Sequence, residues 1–205
     1  VKNPRSSEMS TGQLKQKIAE YRKKMRQLNI QFVIDATASM DKNLDAIQYG
    51  MEEFMRALDE GALGSIRDEV KMSVGCSAYR GVEDGDDVYE LVARPLTVSN
   101  ANDIARFRGQ VKDLEFSSDP SDRTLEESLY YGLTECVKDA GFVPGATNFL
   151  VLIGDAGDDG IVVNRSEGGY TRVEVLKRLQ EDDVDLLILQ STNGYHAAFD
   201  AFVRD

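Results

Sequence analysis

The 205-residue chain has no tryptophan, one histidine (His196), two cysteines (Cys76 and Cys136) and four prolines. So few soft ligands cannot build a structural zinc site. With a single imidazole near the end of the chain, a Cys-His or Ser-His catalytic pair is also hard to assemble. Two cysteines allow at most one internal disulfide, and two thiols packed as small apolar side chains are the expectation, which leaves the compartment open. No apolar run approaches the ~20 residues of a membrane span. Basic charge is scarce as well: 24 Lys and Arg stand against 36 Asp and Glu, for a net charge of -12. Residues 1–28 hold 8 basic and 2 acidic side chains, so residues 29–205 carry 16 against 34, a net of -18. That balance excludes nucleic acid as a natural partner for the larger part, because phosphate binding rests on Lys and Arg. It suits cations.

What is present is the composition of a globular protein, 41% hydrophobic and 29% charged. The chain opens at Val1 without an initiator Met or a signal segment, and reads as a piece of a longer protein. Residues 1–12 are a polar lead-in. Leu14, Ile18, Tyr21, Met25 and Leu28 then form a narrow apolar seam between basic residues, which predicts a helix. That helix either packs on its own domain or ends a coiled-coil stalk.

From residue 31 onward, strand and helix patterns alternate, which predicts an α/β fold: a doubly wound, mostly parallel sheet covered by helices. Strands are expected at 31–36, 70–79, 88–95, 148–154 and 184–190, and helices at 40–58, 101–114, 124–140, 171–181 and 195–204. The 88–95 strand follows the acidic turn 81–87 and should be an antiparallel edge partner. That turn lacks the ligand order of an EF-hand and reads as a solvated hairpin tip.

In such a sheet, ligands bind beyond the carboxyl ends of the strands. Two acids stand there, Asp35 and Asp155. Asp35-Ala36-Thr37-Ala38-Ser39 alternates an acid and two hydroxyls, and alternation in extended chain points all three the same way. Hard oxygen ligands suit a small hard cation, Mg²⁺ in particular, which takes one or two carboxylates and keeps waters. The competing reading is structural: Thr37 or Ser39 as a helix N-cap, with Asp35 as a strand-end acid that accepts backbone N–H bonds. The loop Ser117 to Thr124 offers further oxygens, and Asp158 and Asp159 would rim the site.

The segment Phe32-Val33-Ile34-Asp35-Ala36-Thr37-Ala38-Ser39-Met40 resembles the D-x-S-x-S motif of the von Willebrand factor A (VWA) domain, with Thr for the first Ser. Leu150 to Asp155 resembles that family's second acid-bearing strand, and residues 29–204 fall within the likeness. The segment Cys76 to Gly81, with Pro95-Leu96-Thr97, is similar to a bacterial and protist subgroup. The resemblance implies a Rossmann-like fold with a metal-ion-dependent adhesion site. In it, Mg²⁺ (or Ca²⁺ or Mn²⁺) is ligated by Ser39 and Thr37, with Asp35 and Asp155 behind them. Thr124, or alternatively Asp122, adds the loop ligand. A partner's Asp or Glu carboxylate, or an acid from elsewhere in the same protein, completes the coordination. It also implies that residues 29–205 are one domain, cut short at its C-terminal end, behind a basic linker and helix over 1–28. The adhesion-type likeness favours an extracytoplasmic setting.

An enzyme is the alternative. Asp35 to Ser39 also resembles the phosphorylation motif of the haloacid dehalogenase superfamily, which implies Asp35 as nucleophile, Lys138 as charge stabiliser and Asp155 with Asp159 as the later acids. Residues 36 and 38 depart from that motif, and the helical pattern from 40 onward leaves no room for a flap.

Overall fold

The computed structural model describes residues 10–24, 26–59, 70–81, 88–98, 101–116, 126–155, 157–158 and 170–191. The first element is helix α1 (Thr11–Lys24). Strand β1 (Gln27–Asp35) follows, then a short 3-10 helix (Ala38–Asn43) running into α2 (Leu44–Asp59). Next come β2 (Lys71–Tyr79), β3 (Tyr89–Val98), α3 (Ala101–Lys112), the two-residue β4 (Glu126–Glu127) and α4 (Leu129–Asp139). The chain continues through β5 (Thr147–Gly154), the two-residue β6 (Gly157–Asp158), α5 (Arg172–Glu181) and β7 (Val184–Gln190).

The main sheet has the order β3-β2-β1-β5-β7, and only β3 runs antiparallel. This is the expected doubly wound α/β sheet with an antiparallel edge. Pro95 lies in β3, where an edge strand tolerates a residue without an N–H. Two cores flank the sheet. Ile30, Phe32 and Ile34 of β1 face the side covered by α2 and α3, with Met51, Met55, Phe107 and Val111. Val33 faces the other side, with Leu129, Leu133 and Val137 of α4 and Val175 and Leu179 of α5. Burial on both faces explains the unbroken apolar runs of the central strands. Each such side chain taken fully out of water contributes ~1.5–3 kcal/mol. Cys76 belongs to the first core and Cys136 to the second, and both thiols are free. The sheet lies between them. Burial raises both thiols, Cys136 to about 12, so neither is a nucleophile at neutral pH.

Several elements differ from the sequence-based expectation. The helical seam does not reach Leu28: α1 ends at Lys24, and Leu28 is in β1, where ladder pairing with Met72 and Thr147 overrides helical periodicity. Ile18 and Tyr21 of α1 are exposed, so packing of the helix on its own domain is not what these side chains do. The helix expected from 124 begins at Leu129 with Ser128 as its N-cap, because Glu126 and Glu127 are drawn into a strand pair with β6. The acidic turn 83–87, the loop 117–123, Asp122, Thr124, Asp159, His196 and the helix expected at 195–204 lie outside the described residues. Among the described residues no helix is long and apolar enough to cross a membrane.

Gly132, in the interior of α4, shows how packing overrides propensity. Alanine is the better helix former by ~1 kcal/mol. A Cβ on Gly132, however, would stand 2.5 Å from Cβ of Tyr79, so α4 would have to move off the sheet. Gly132→Ala is therefore expected to destabilise the protein by about 1–3 kcal/mol in urea unfolding. A gain in stability would show that α4 has room to shift.

Candidate metal centre

β1 sends its connection to one side, toward β2, while β5 continues to the other, toward β7. Their shared carboxyl end is the place where strand order reverses, and a crevice opens there. Asp35 ends β1, and Asp155 follows the last residue of β5.

Asp35 and Thr37 have no exposed surface, whereas Ser39 is open to solvent. Asp35 Oδ1 accepts two bonds from Thr37, one from its backbone N–H (3.1 Å) and one from its hydroxyl (2.6 Å). The Thr37 and Ser39 hydroxyls are 3.2 Å apart, and Ser39 donates to Asp155 Oδ1 at 3.0 Å. The four residues thus form one line of oxygens from the buried base of the crevice to its mouth. The extended backbone carries only as far as Thr37. It is the 3-10 turn beginning at Ala38, closed by the Met40 N–H on the Thr37 carbonyl, that brings Ser39 back over Thr37. Strict alternation along an extended chain is therefore replaced by a turn. Thr37 occupies the N-cap position of that turn, yet its side chain makes no capping bond. It bonds to Asp35 instead, so the capping half of the structural reading does not hold for Thr37, while Asp35 does accept the Thr37 backbone N–H.

Burial pushes the Asp35 carboxyl up to about 7, against the bonds from Thr37 that pull it down, and the Asp155 carboxylate adds a smaller upward push. Its Oδ2 is buried without a hydrogen-bond partner among the described residues. A buried carboxylate oxygen with no donor is a costly arrangement that a cation or an ordered water nearby would relieve. Among the described residues no three His, Cys, Asp or Glu side chains gather in one place. A cation here would consequently be held by two acids and two hydroxyls, a hard, oxygen-only set suited to Mg²⁺.

Thr124, the fifth residue expected at the centre, lies outside the described residues. Glu126 pairs with Gly157, two residues past Asp155. Asp158 lies in β6, paired with Glu127. Neither Tyr79 nor Gly154 is among the expected metal-site residues, yet both close on Asp35. A Cβ on Gly154 would meet the Tyr79 hydroxyl at 3.0 Å and Asp35 Cβ at 3.1 Å. Lys138, the charge stabiliser of the enzyme reading, donates instead to Glu135 (2.6 Å) and Tyr170 (2.7 Å).

The fold recurs in solved structures. The pilus adhesin SpaC from Lactobacillus rhamnosus GG, in its open conformation, superposes with a TM-score of 0.53 at 11% identity, over 87% of this chain and 26% of the adhesin. A second form of SpaC gives 0.55 at 14% identity, over 80% and 24%. The conserved hypothetical protein BatB from Bacteroides thetaiotaomicron gives 0.52 at 13% identity, over 80% and 66%. At such identities the likeness is one of fold, and the chain spans about a quarter of the adhesin's length. A comparison with curated protein sequences returns no match. The family described as the TssR protein VWA domain, by contrast, matches residues 13–204, taking in α1 as well as the sheet, its helices and the Asp35 motif. The chain therefore belongs to the TssR VWA domain family.

Proposed function

We propose that this chain is a metal-dependent protein-binding module, used for adhesion or as a scaffold, and not an enzyme. The observation that carries the reading is the continuous Asp35, Thr37, Ser39 and Asp155 oxygen line at the switch point of the sheet, ending in an exposed serine hydroxyl. Ser39 and Thr37 ligate a Mg²⁺ ion directly, and Ca²⁺ or Mn²⁺ could take its place. Asp35 and Asp155 hold the hydroxyls or metal-bound waters from behind, and Thr124, or Asp122 in its stead, adds a ligand from the neighbouring loop. Uncharged hydroxyls leave much of the ion's charge uncompensated, so an anionic oxygen is favoured in the open position. That oxygen comes from an Asp or Glu of a protein partner, or from another part of the same protein. The acidic surroundings attract the cation and repel anions until it is bound. A phosphotransfer role for Asp35 finds no support in Lys138, whose ammonium is engaged by Glu135 and Tyr170.

A displayed peptide library panned on the full chain in Mg²⁺ tests this reading. The selected peptides should share an Asp or Glu, and EDTA should abolish their binding while the circular dichroism spectrum keeps its native form. Tight binding that survives EDTA would refute the reading.

A further inference from the structure

Ser39 and Asp155 meet at 3.0 Å, yet neither lies in a strand or an α-helix: Ser39 is on the 3-10 helix and Asp155 just beyond β5. A 3-10 helix has poorer hydrogen-bond geometry than an α-helix and holds its own shape less firmly. This one is anchored from outside. Ser191, the residue after β7, donates its N–H to the Gly154 carbonyl at 2.9 Å, and is thereby tied to the residue next to Asp155. Its hydroxyl accepts a bond from the Asn43 side-chain amide at 3.3 Å and donates to the Met40 sulfur at 2.9 Å. Asn43 is the last residue of the 3-10 helix, and Met40, next to Ser39, is fully buried. One half-buried hydroxyl therefore joins the turn that carries Ser39 to the strand end that carries Asp155.

We propose that Asn43 and Ser191 are positioning residues of the metal centre, their side-chain bond holding the 3-10 turn so that Ser39 stays beside Asp155. The inference rests on the metal-binding reading above. Neither side chain touches the cation. A ligand fixed in place before the ion arrives binds it more tightly, because the cost of ordering it is not taken from the binding free energy. Without the bond the turn still folds, since the Met40 N–H stays on the Thr37 carbonyl and the Met40 side chain stays buried. Its Asn43 end is released, however, and the separation of Ser39 from Asp155 is no longer held. Groups that orient a metal's direct ligands are typically worth ~10–100-fold in affinity.

The test uses Mg²⁺ alone, measured by calorimetry on the full wild-type chain, Asn43→Ala, Ser191→Ala, the double variant, Ser191→Thr and Ser39→Ala, with melting in EDTA recorded for each. Asn43→Ala and Ser191→Ala should each bind Mg²⁺ about 10-fold more weakly and melt in EDTA close to wild type. The double variant should bind about as weakly as Ser191→Ala alone, because both changes remove the same bond. Ser191→Thr keeps the hydroxyl and should bind like wild type. Unchanged affinity in the two alanine variants overturns their positioning role while leaving the metal centre standing. So do losses that multiply in the double variant, which independent packing defects would give, and a loss of affinity matched by lower melting in EDTA, since the bond then serves the fold at large. If Ser39→Ala takes up Mg²⁺ as well as wild type does, the metal reading fails, and this inference with it.

Discussion

Asp35→Asn is expected to abolish Mg²⁺ binding and, in EDTA at pH 8, to raise the melting temperature above that of the wild-type chain. The side chain is fully buried at the end of the central strand, and its carboxyl is pushed up to about 7 from 3.8. A folded-state value above the unfolded one means that the folded protein holds the proton more tightly. The stability this contributes is fully present below pH ~3.8 and is lost as the pH rises through about 7. A shift of this size corresponds to about 4 kcal/mol. Asparagine keeps the shape and never ionises, so the variant escapes the loss. The two proteins should melt together near pH 4 and diverge by roughly 10 °C at pH 8, at ~2–4 °C per kcal/mol for a chain of this size. Mg²⁺ should raise the wild-type melting temperature at pH 8 and leave that of the variant unmoved. A variant destabilised equally at both pH values would show that Asp35 is a structural hydrogen-bonding residue and nothing more.

Ser39→Ala should have the opposite profile, a large loss of binding with almost no change in folding. Ser39 is exposed, and among the described residues its hydroxyl bonds within the oxygen line, to Thr37 and Asp155. Surface substitutions of this kind shift stability by no more than ~0.5 kcal/mol. Losing a direct ligand should exceed the ~10–100-fold that orienting groups cost, so Mg²⁺ affinity should fall at least ~100-fold. Calorimetry and thermal melting in EDTA check the two halves separately. Mg²⁺ affinity within a few-fold of wild type would remove Ser39 from the ligand set. Together the two variants separate the buried base of the site, where charge opposes stability, from its exposed mouth, where it does not.

Much of this was legible in the residues. Phe32 to Asp35 and Phe149 to Asp155 announce central strands by unbroken apolar runs that end in an acid, because both faces of the sheet are covered. Met51, Met55 and Leu133 declare their helices through the spacing of their apolar faces. The ends of elements were less legible. Leu28 continues the apolar spacing of α1, but backbone pairing with Met72 and Thr147 claims it for β1. Likewise Glu126 and Glu127 have no strand pattern of their own, and only their pairing with Gly157 and Asp158 makes them one. The same limit held at the site. Asp35, Thr37, Ser39 and Asp155 stand out because chemistry repeats at close spacing after strands. Tyr79 and Gly154 do not, because each reaches Asp35 only through a neighbouring strand.

The sequence by itself determined the alternation of strands and helices, the charge contrast between the basic head of the chain and its acidic body, and the residue types at two strand ends. These follow from periodicity, burial and local chemistry, which are properties of neighbouring residues. Only the tertiary structure decided that Asp155 closes the line begun by Asp35, that a 3-10 turn folds Ser39 back over Thr37, and that Tyr79 and Gly154 shape the base. Such contacts join residues as far apart as 116 positions. They depend on which strands lie side by side and in what register, and pairing across a sheet leaves no periodic mark on any one segment.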